Sequence, residues 1–199
     1  MVLESQLPPY DGITLADVRL VQSCADAAAA LGALLAADVI GFDTESKPTF
    51  HKGETSNGPH LIQFATDNTA YLFQIGTSPA LNELKAILES SATLKVGFGL
   101  SDDIKRLRGK LGITMAGVLD LSVALRGGQR NDLGAKTAVA KFFGVRLQKS
   151  KKISTTNWAN ARLTERQILY AADDAQVALR VYRHWLAHGN AATATPPPG

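Results

Sequence analysis

Cysteine is almost absent from this chain: Cys24 is the only one in 199 residues, so no internal disulfide can form. That usage suits a reducing compartment, and a cytoplasmic location is expected. Long apolar runs are missing as well. None approaches the ~18 residues that a bilayer-crossing helix needs, so no membrane span is expected. The alanine-rich stretch at 27–37 follows polar residues and Asp26 rather than a basic segment, which excludes a signal peptide. Internal repeats are absent too. Neither sign of charge dominates, with 21 Lys and Arg against 18 Asp and Glu, a net +3. Such a balance tolerates a polyanionic partner without demanding one. What remains is a 45% hydrophobic, 20% charged chain, long enough for one domain with a full core.

Pro8, Pro9 and Gly12 place residues 1–22 over the surface, as an extension before the fold proper. Ser23 caps a helix running to Ala37, with Asp26 completing a capping box. A strand at 39–44 follows, then a polar loop over 46–59. Residues 61–66 and 69–74 read as two strands joined by an Asp67-Asn68 hairpin. Ser78 and Pro79 open a helix to about Ser90, by the serine cap and first-turn proline rule. A short strand at 93–97, a helix capped by Ser101 and running to about Leu111, and a strand at 118–120 come next. Asp132 or a near neighbour opens a further helix that Gly144 closes. The final helix has the clearest start: Thr164 and Gln167 form a capping box, and Leu163 staples to Ile168. Residues 189–199, ending in T-P-P-P-G, have nothing to bury and are expected to be a disordered tail. The domain therefore spans 23–188. Three strands followed by alternating helices and strands make a mixed α/β layout.

Chemistry-bearing residues concentrate first at V-I-G-F-D-T-E, residues 39–45. Asp43 and Glu45 are two apart on a strand and project from the same face, at its end. Two like charges so placed repel unless a cation sits between them. Chance supplies roughly one or two such acid pairs in a chain of this composition, so the pair needs partners elsewhere. Asp102 and Asp103 stand in the first turn of a helix directly after a strand. There acids favour the helix macrodipole, but open α/β sheets also bind ligands at that lip. On the last helix Tyr170 and Asp174 are four apart and share a face. Asp173 and Asp174 interrupt an otherwise apolar run. One of them can reach solvent, while the other faces the sheet, where a lone carboxylate is costly.

Taken together, D-T-E at 43–45, K-V-G-F-G-L-S-D-D at 95–103 and Y-A-A-D-D at 170–174 resemble the three motifs of the DEDDy 3′–5′ exonucleases. This family includes ribonuclease D, polymerase proofreading domains and the Werner-syndrome-type exonuclease. The order and spacing match over about residues 20–188. The resemblance assigns Asp43, Glu45, Asp103 and Asp174 as the metal-binding acids and Tyr170 as their catalytic companion, with Asp173 a bystander. G-F-G at 97–99 departs from the His-Asn pair usual in the ribonuclease D type. Residues 149–158, K-S-K-K-I-S-T-T-N-W, followed by L-T-E-R-Q-I-L-Y, look like the corresponding segment of the Werner-type branch, with Thr156 in place of its usual serine. The implied fold is RNase H-like (DnaQ-like exonuclease), three layers with a mixed five-stranded sheet and helices on both faces.

The resemblance implies a hydrolase releasing nucleoside 5′-monophosphates from 3′ ends, with two divalent ions, Mg²⁺ or Mn²⁺. An all-oxygen donor set favours these metals over zinc. Tyr170 would orient the attacking water, since a phenol near pKa 10 is a poor base unaided. A polyanionic substrate, single-stranded or with a recessed 3′ end, calls for bases near the cleft. Lys47, Lys52, Arg146, Lys149, Lys151 and Lys152 are candidates, with Phe50 and His51 as stacking residues. Trp158 reads as core. DNA is favoured over RNA as substrate. The alternatives are an exoribonuclease of ribonuclease D type and a nucleic-acid-binding module with a vestigial site. A missing motif acid would favour that last reading, and none is missing. No helicase or HRDC-like segment accompanies the motifs, so a stand-alone nuclease domain, in DNA repair or RNA processing, is expected.

Overall fold

The computed structural model describes residues 6–49, 57–76, 80–127 and 131–188. Six strands, β1 (Val18–Val21), β2 (Val39–Glu45), β3 (Leu61–Ala65), β4 (Ala70–Gln74), β5 (Leu94–Gly97) and β6 (Val118–Asp120), form one sheet in the order β1-β4-β3-β2-β5-β6. β2, β3 and β4 are antiparallel neighbours, while β1 joins β4 and β5 joins β2 in parallel, as β6 joins β5. Seven α-helices lie among the described residues: α1 (Cys24–Leu35), α2 (Leu81–Glu89), α3 (Ser101–Arg106), α4 (Leu121–Ala124), α5 (Ala135–Phe143), α6 (Lys151–Ser154) and α7 (Glu165–Ala187).

Alternation along β2 decides the layers. Ile40 and Phe42 point into one core with Ala27, Ala30 and Leu34 of α1, Leu84 and Ile87 of α2, and Leu100 and Leu107 beside α3. Val39 points the other way, into a second core with Ala138 and Val139 of α5 and Val177, Leu179 and Trp185 of α7. Helices thus cover both faces of a mixed sheet, as expected. α7 lies so close over β2 that a Cβ on Gly41 would stand 1.8 Å from the Ala175 carbonyl oxygen. Because Ala171, Ala172, Ala175 and Ala178 are fully buried, the small side chains of α7 permit this approach. The alternation puts Gly41, Asp43 and Glu45 beneath α7 and Thr44 on the α1–α3 side.

Several local expectations hold. The capping boxes Ser23/Asp26 and Thr164/Gln167 are both present, and Gly144 closes α5 in the left-handed conformation. Others need correcting. The sheet has six strands, not five: within the stretch expected to lie over the surface, Val18–Val21 pairs with β4 as an edge strand. Four residues with half-exposed positions give too short a pattern to stand out from a loop. Ser101 is the first residue of α3 rather than its cap, which is Leu100. That helix passes at Leu107–Leu111 into a π-helical turn, ended by Gly112. Gly134, the near neighbour of Asp132, is the residue that precedes α5, as the expectation allowed. Ser78 and Pro79 lie outside the described residues, and α2 begins at Leu81. α7 is buried nearly all round at its centre, which a single apolar stripe does not anticipate.

Arg183 fastens α7 to one end of the sheet, where β2 begins and β3 turns into β4, donating 2.8 and 2.7 Å hydrogen bonds to the two oxygens of Asp38 and reaching Asp67 at 3.4 Å. The Arg183 hydrogen bonds hold the Asp38 carboxyl down at about 2. A carboxyl lowered on folding adds stability above its unfolded pKa of about 4 and loses it as pH falls toward 2. With Asp38 70% exposed, Asp38→Asn should cost only roughly 0.5–1 kcal/mol at pH 7. Denaturant unfolding at pH 7 and pH 2.5 should show that difference shrinking at the lower pH. Gly41→Ala should destabilise far more, by about 3 kcal/mol, because the added methyl meets backbone rather than a movable side chain. A thermal midpoint equal to wild type would contradict the close crossing of α7 and β2.

Candidate active site

Asp43 and Glu45 end β2 on its α7 face, and Asp174 and Tyr170 descend from α7 above them. Burial, then the charge of Asp174, drives the Asp43 carboxyl well above the ordinary carboxylate range. Glu45 is pushed up to about 9 by burial and by Asp43 and Asp174. Asp174 is raised by burial, partly offset by Lys149, whose Nζ stands 2.9 Å from its Oδ1. At Lys149 burial pulls the ammonium down, but Asp174 and Asp43 more than reverse it, and the net direction is up. The Tyr170 hydroxyl is raised by burial and then by Asp174, so it stays protonated and can donate a hydrogen bond.

Asp103 reaches the cleft from the other side of β2. The Thr44 hydroxyl donates to its Oδ1. Burial raises Asp103, against the lowering effects of Thr44 and Arg106. The turn that aims it is fixed by Asp120, which accepts from the Gly99 and Leu100 backbone N–H groups at 2.9 and 2.8 Å and from Ser122 N–H at 2.9 Å. Asp102 stays at the surface, 3.3 Å from Lys105. Asp43, Glu45 and Asp174 thus act directly on one another, and Asp103 flanks them. Among the described residues no three acids are gathered closely enough to hold an ion as they stand. The donor chemistry nevertheless fits a hard divalent cation: four carboxylates, all raised, whose mutual repulsion such an ion would remove.

The basic candidates divide. Lys149 belongs to the acid cluster itself, whereas Lys151 and Lys152 are exposed at the start of α6 and Lys47 is exposed just past β2. Arg146 sits in the chain before Lys149, its N–H donating to the Pro8 carbonyl at 2.7 Å. Phe50, His51 and Lys52 lie outside the described residues. Trp158 is fully buried, its ring 6.1 Å from that of Tyr170. Asp173 corrects one expectation. It accepts from the Ile13 N–H at 2.8 Å rather than facing solvent, and Gly12 has no side chain to obstruct it. Burial pushes its carboxyl up to about 6. Tyr10, in the same N-terminal strap, lines a cavity of about 280 Å³ with Lys149, Arg166, Tyr170 and Asp174.

The family model described as 3′–5′ exonuclease matches residues 18–186, and the chain belongs to that family. It is 31% identical over 149 residues to the mouse bifunctional 3′–5′ exonuclease/ATP-dependent helicase WRN, covering 73% of this chain and 11% of the relative. It is also 36% identical over 108 residues to human exonuclease 3′–5′ domain-containing protein 2, covering 51% and 17%. The chain therefore corresponds to a small part of these relatives' length. Among solved structures, the Aedes aegypti Nibbler EXO domain superposes with a TM-score of 0.73 at 25% identity, covering 86% of this chain and 88% of that one. Escherichia coli RNase D gives 0.74 at 26%, covering 85% and 44%. The architecture is the RNase H-like fold of these exonuclease domains.

Charge relief gives a direct check on the cluster. At pH 8 in chelator, Asp43→Asn should unfold about 3 °C above wild type, because it removes a poorly tolerated charge while keeping an acceptor for the Thr44 N–H. A lower midpoint would contradict the acid-cluster geometry.

Proposed function

We propose that this chain is a metal-dependent 3′–5′ exonuclease that hydrolyses nucleic acid one nucleotide at a time, releasing nucleoside 5′-monophosphates. The observation that carries the reading is the convergence of Asp43, Glu45 and Asp174, flanked by Asp103, on a cleft where burial and neighbouring charge raise the carboxyls. Asp43, Glu45, Asp103 and Asp174 are the residues that would hold two divalent ions, Mg²⁺ or Mn²⁺. Such ions supply Lewis acidity and a nucleophilic hydroxide at neutral pH. The protein's own contribution is positional. β2 and α7 bring three acids to one cleft, and Asp120 and Thr44 aim the fourth. Tyr170, protonated beside Asp174, donates a hydrogen bond that orients the attacking water in line with the scissile bond. Lys151 and Lys152, exposed at the start of α6, suit phosphates of the incoming strand. No covalent enzyme intermediate is required.

DNA is the preferred substrate in this reading, supported by the likeness to the WRN exonuclease and by the Werner-type segment at 149–158. RNA is the second reading, favoured by the similarity to E. coli RNase D, an exoribonuclease involved in structured RNA processing. The presence of all four acids speaks against a vestigial site.

A 5′-end-labelled oligonucleotide should shorten progressively from its 3′ end with Mg²⁺ or Mn²⁺ and stay intact in chelator. Asp43→Ala should lower kcat at least about a thousandfold, and Tyr170→Phe about a hundredfold, both with folded protein. Equal digestion by wild type and Asp43→Ala would refute the reading. Rates on single-stranded DNA, recessed duplex and RNA of one sequence decide the substrate, and faster RNA cleavage would favour the second reading.

A further inference from the structure

Among the described residues, Lys149 alone makes an ion pair with any of the four acids. Its partner Asp174 is 4% exposed, while the lysine side chain is 27% exposed. One member of the pair is therefore fixed inside the fold, and the other has an open path to solvent. The chain around them supports the same asymmetry. Asp174 sits mid-way along α7, locked by packing on β2. Lys149 lies in an irregular stretch between the Gly144 cap and α6. That stretch is anchored just upstream, where Tyr10 N–H donates to the Arg146 carbonyl at 2.9 Å and Arg146 N–H donates to Pro8 at 2.7 Å. Beyond the anchor, the Lys149 N–H donates to the Leu147 carbonyl at 3.1 Å. The result is a flexible four-carbon arm on a fixed stem, with its ammonium resting on a buried carboxylate.

We propose that Lys149 is a built-in counter-ion of the cleft, one that neutralises Asp174 in the metal-free protein and must leave it when a divalent cation binds. Its positive charge and the cation's compete for one oxygen of Asp174, so the two cannot both sit there without strong repulsion. Displaced, the ammonium swings outward on its own stem, toward the cavity lined by Tyr10, Arg166 and Tyr170. This inference rests on the metal-dependent reading above. It adds that metal loading and the position of the Lys149 arm are linked, so each opposes the other. Lys149 is a positioning residue in this role, acting on the metal through Asp174.

The test is calorimetric titration of the full chain with Mn²⁺ alone, without nucleic acid, for wild type, Lys149→Met and Lys149→Arg. Lys149→Met keeps the side chain's bulk but removes the competitor, and should bind Mn²⁺ at least about fivefold more tightly. Lys149→Arg retains the charge and should stay near the wild-type Kd. In chelator, Lys149→Met should unfold at a lower temperature than wild type, and saturating Mn²⁺ should close that gap. An unchanged or weaker Mn²⁺ affinity in Lys149→Met would overturn the proposal. If Lys149→Met does not fold without metal, Lys149→Gln takes its place in the titration, with tighter Mn²⁺ binding expected and unchanged or weaker binding overturning the proposal. A protein that shows this Mn²⁺ pattern but digests no oligonucleotide would refute the nuclease reading and leave the counter-ion intact. One that digests oligonucleotides with an unchanged Mn²⁺ Kd would do the reverse.

Discussion

The backbone of α7 rests on β2 at Gly41, against the Ala175 carbonyl, and the arrangement of the site depends on that contact. A strand and a helix normally keep a side-chain layer between them. Here glycine on one side and alanines on the other remove that layer, so the acids two residues beyond Gly41 and one residue before Ala175 are brought into the same small volume. Neither Asp43 nor Asp174 has freedom to retreat, since both backbones belong to regular elements buried on the same face. The electrostatic strain of the cleft is thus a consequence of apolar packing. The cores on both faces of the sheet hold carboxylates together that would separate in water.

That strain explains how the surrounding polar groups are used. Thr44, turned to the opposite face of β2, donates to Asp103 and ties it to the strand that carries Asp43 and Glu45. Asp120 holds the Gly99–Leu100 turn and fixes where α3 starts. Lys149 supplies a positive charge to the enclosed Asp174. Thr44 and Lys149 each contact an acid that would hold metal, Asp120 acts on one through the turn before α3, and the three come from different parts of the chain. Alterations far from the cleft should therefore reach it through the packing of β2, α3 and α7.

Much of this was legible in the sequence because it rests on local rules. Capping boxes at Ser23 and Thr164 and the glycine at 144 are written in a few adjacent residues, and the period-two placing of Asp43 and Glu45 follows from strand geometry alone. The acids and Tyr170 were readable because family motifs are short and contiguous. What escaped depends on residues far apart in the chain. β1 is a strand because β4 offers it an edge, not because V-R-L-V alternates. The pairing of Lys149 with Asp174, of Thr44 with Asp103 and of Ile13 with Asp173 spans too many residues for any window to register. A faint signal did exist for the last. Two adjacent acids on a nearly all-buried helix each need a partner, and only one can belong to the acid cluster.

Diffraction from crystals soaked in Mn²⁺ would show whether these four carboxylates form one divalent-metal site. Anomalous density should appear between β2 and α7, within bonding distance of oxygens from Asp43, Glu45 and Asp174, with Asp103 on any second ion. Anomalous density elsewhere with none in this cleft, or at the acids of the cleft but bypassing Asp43 and Asp174, would exclude such a site.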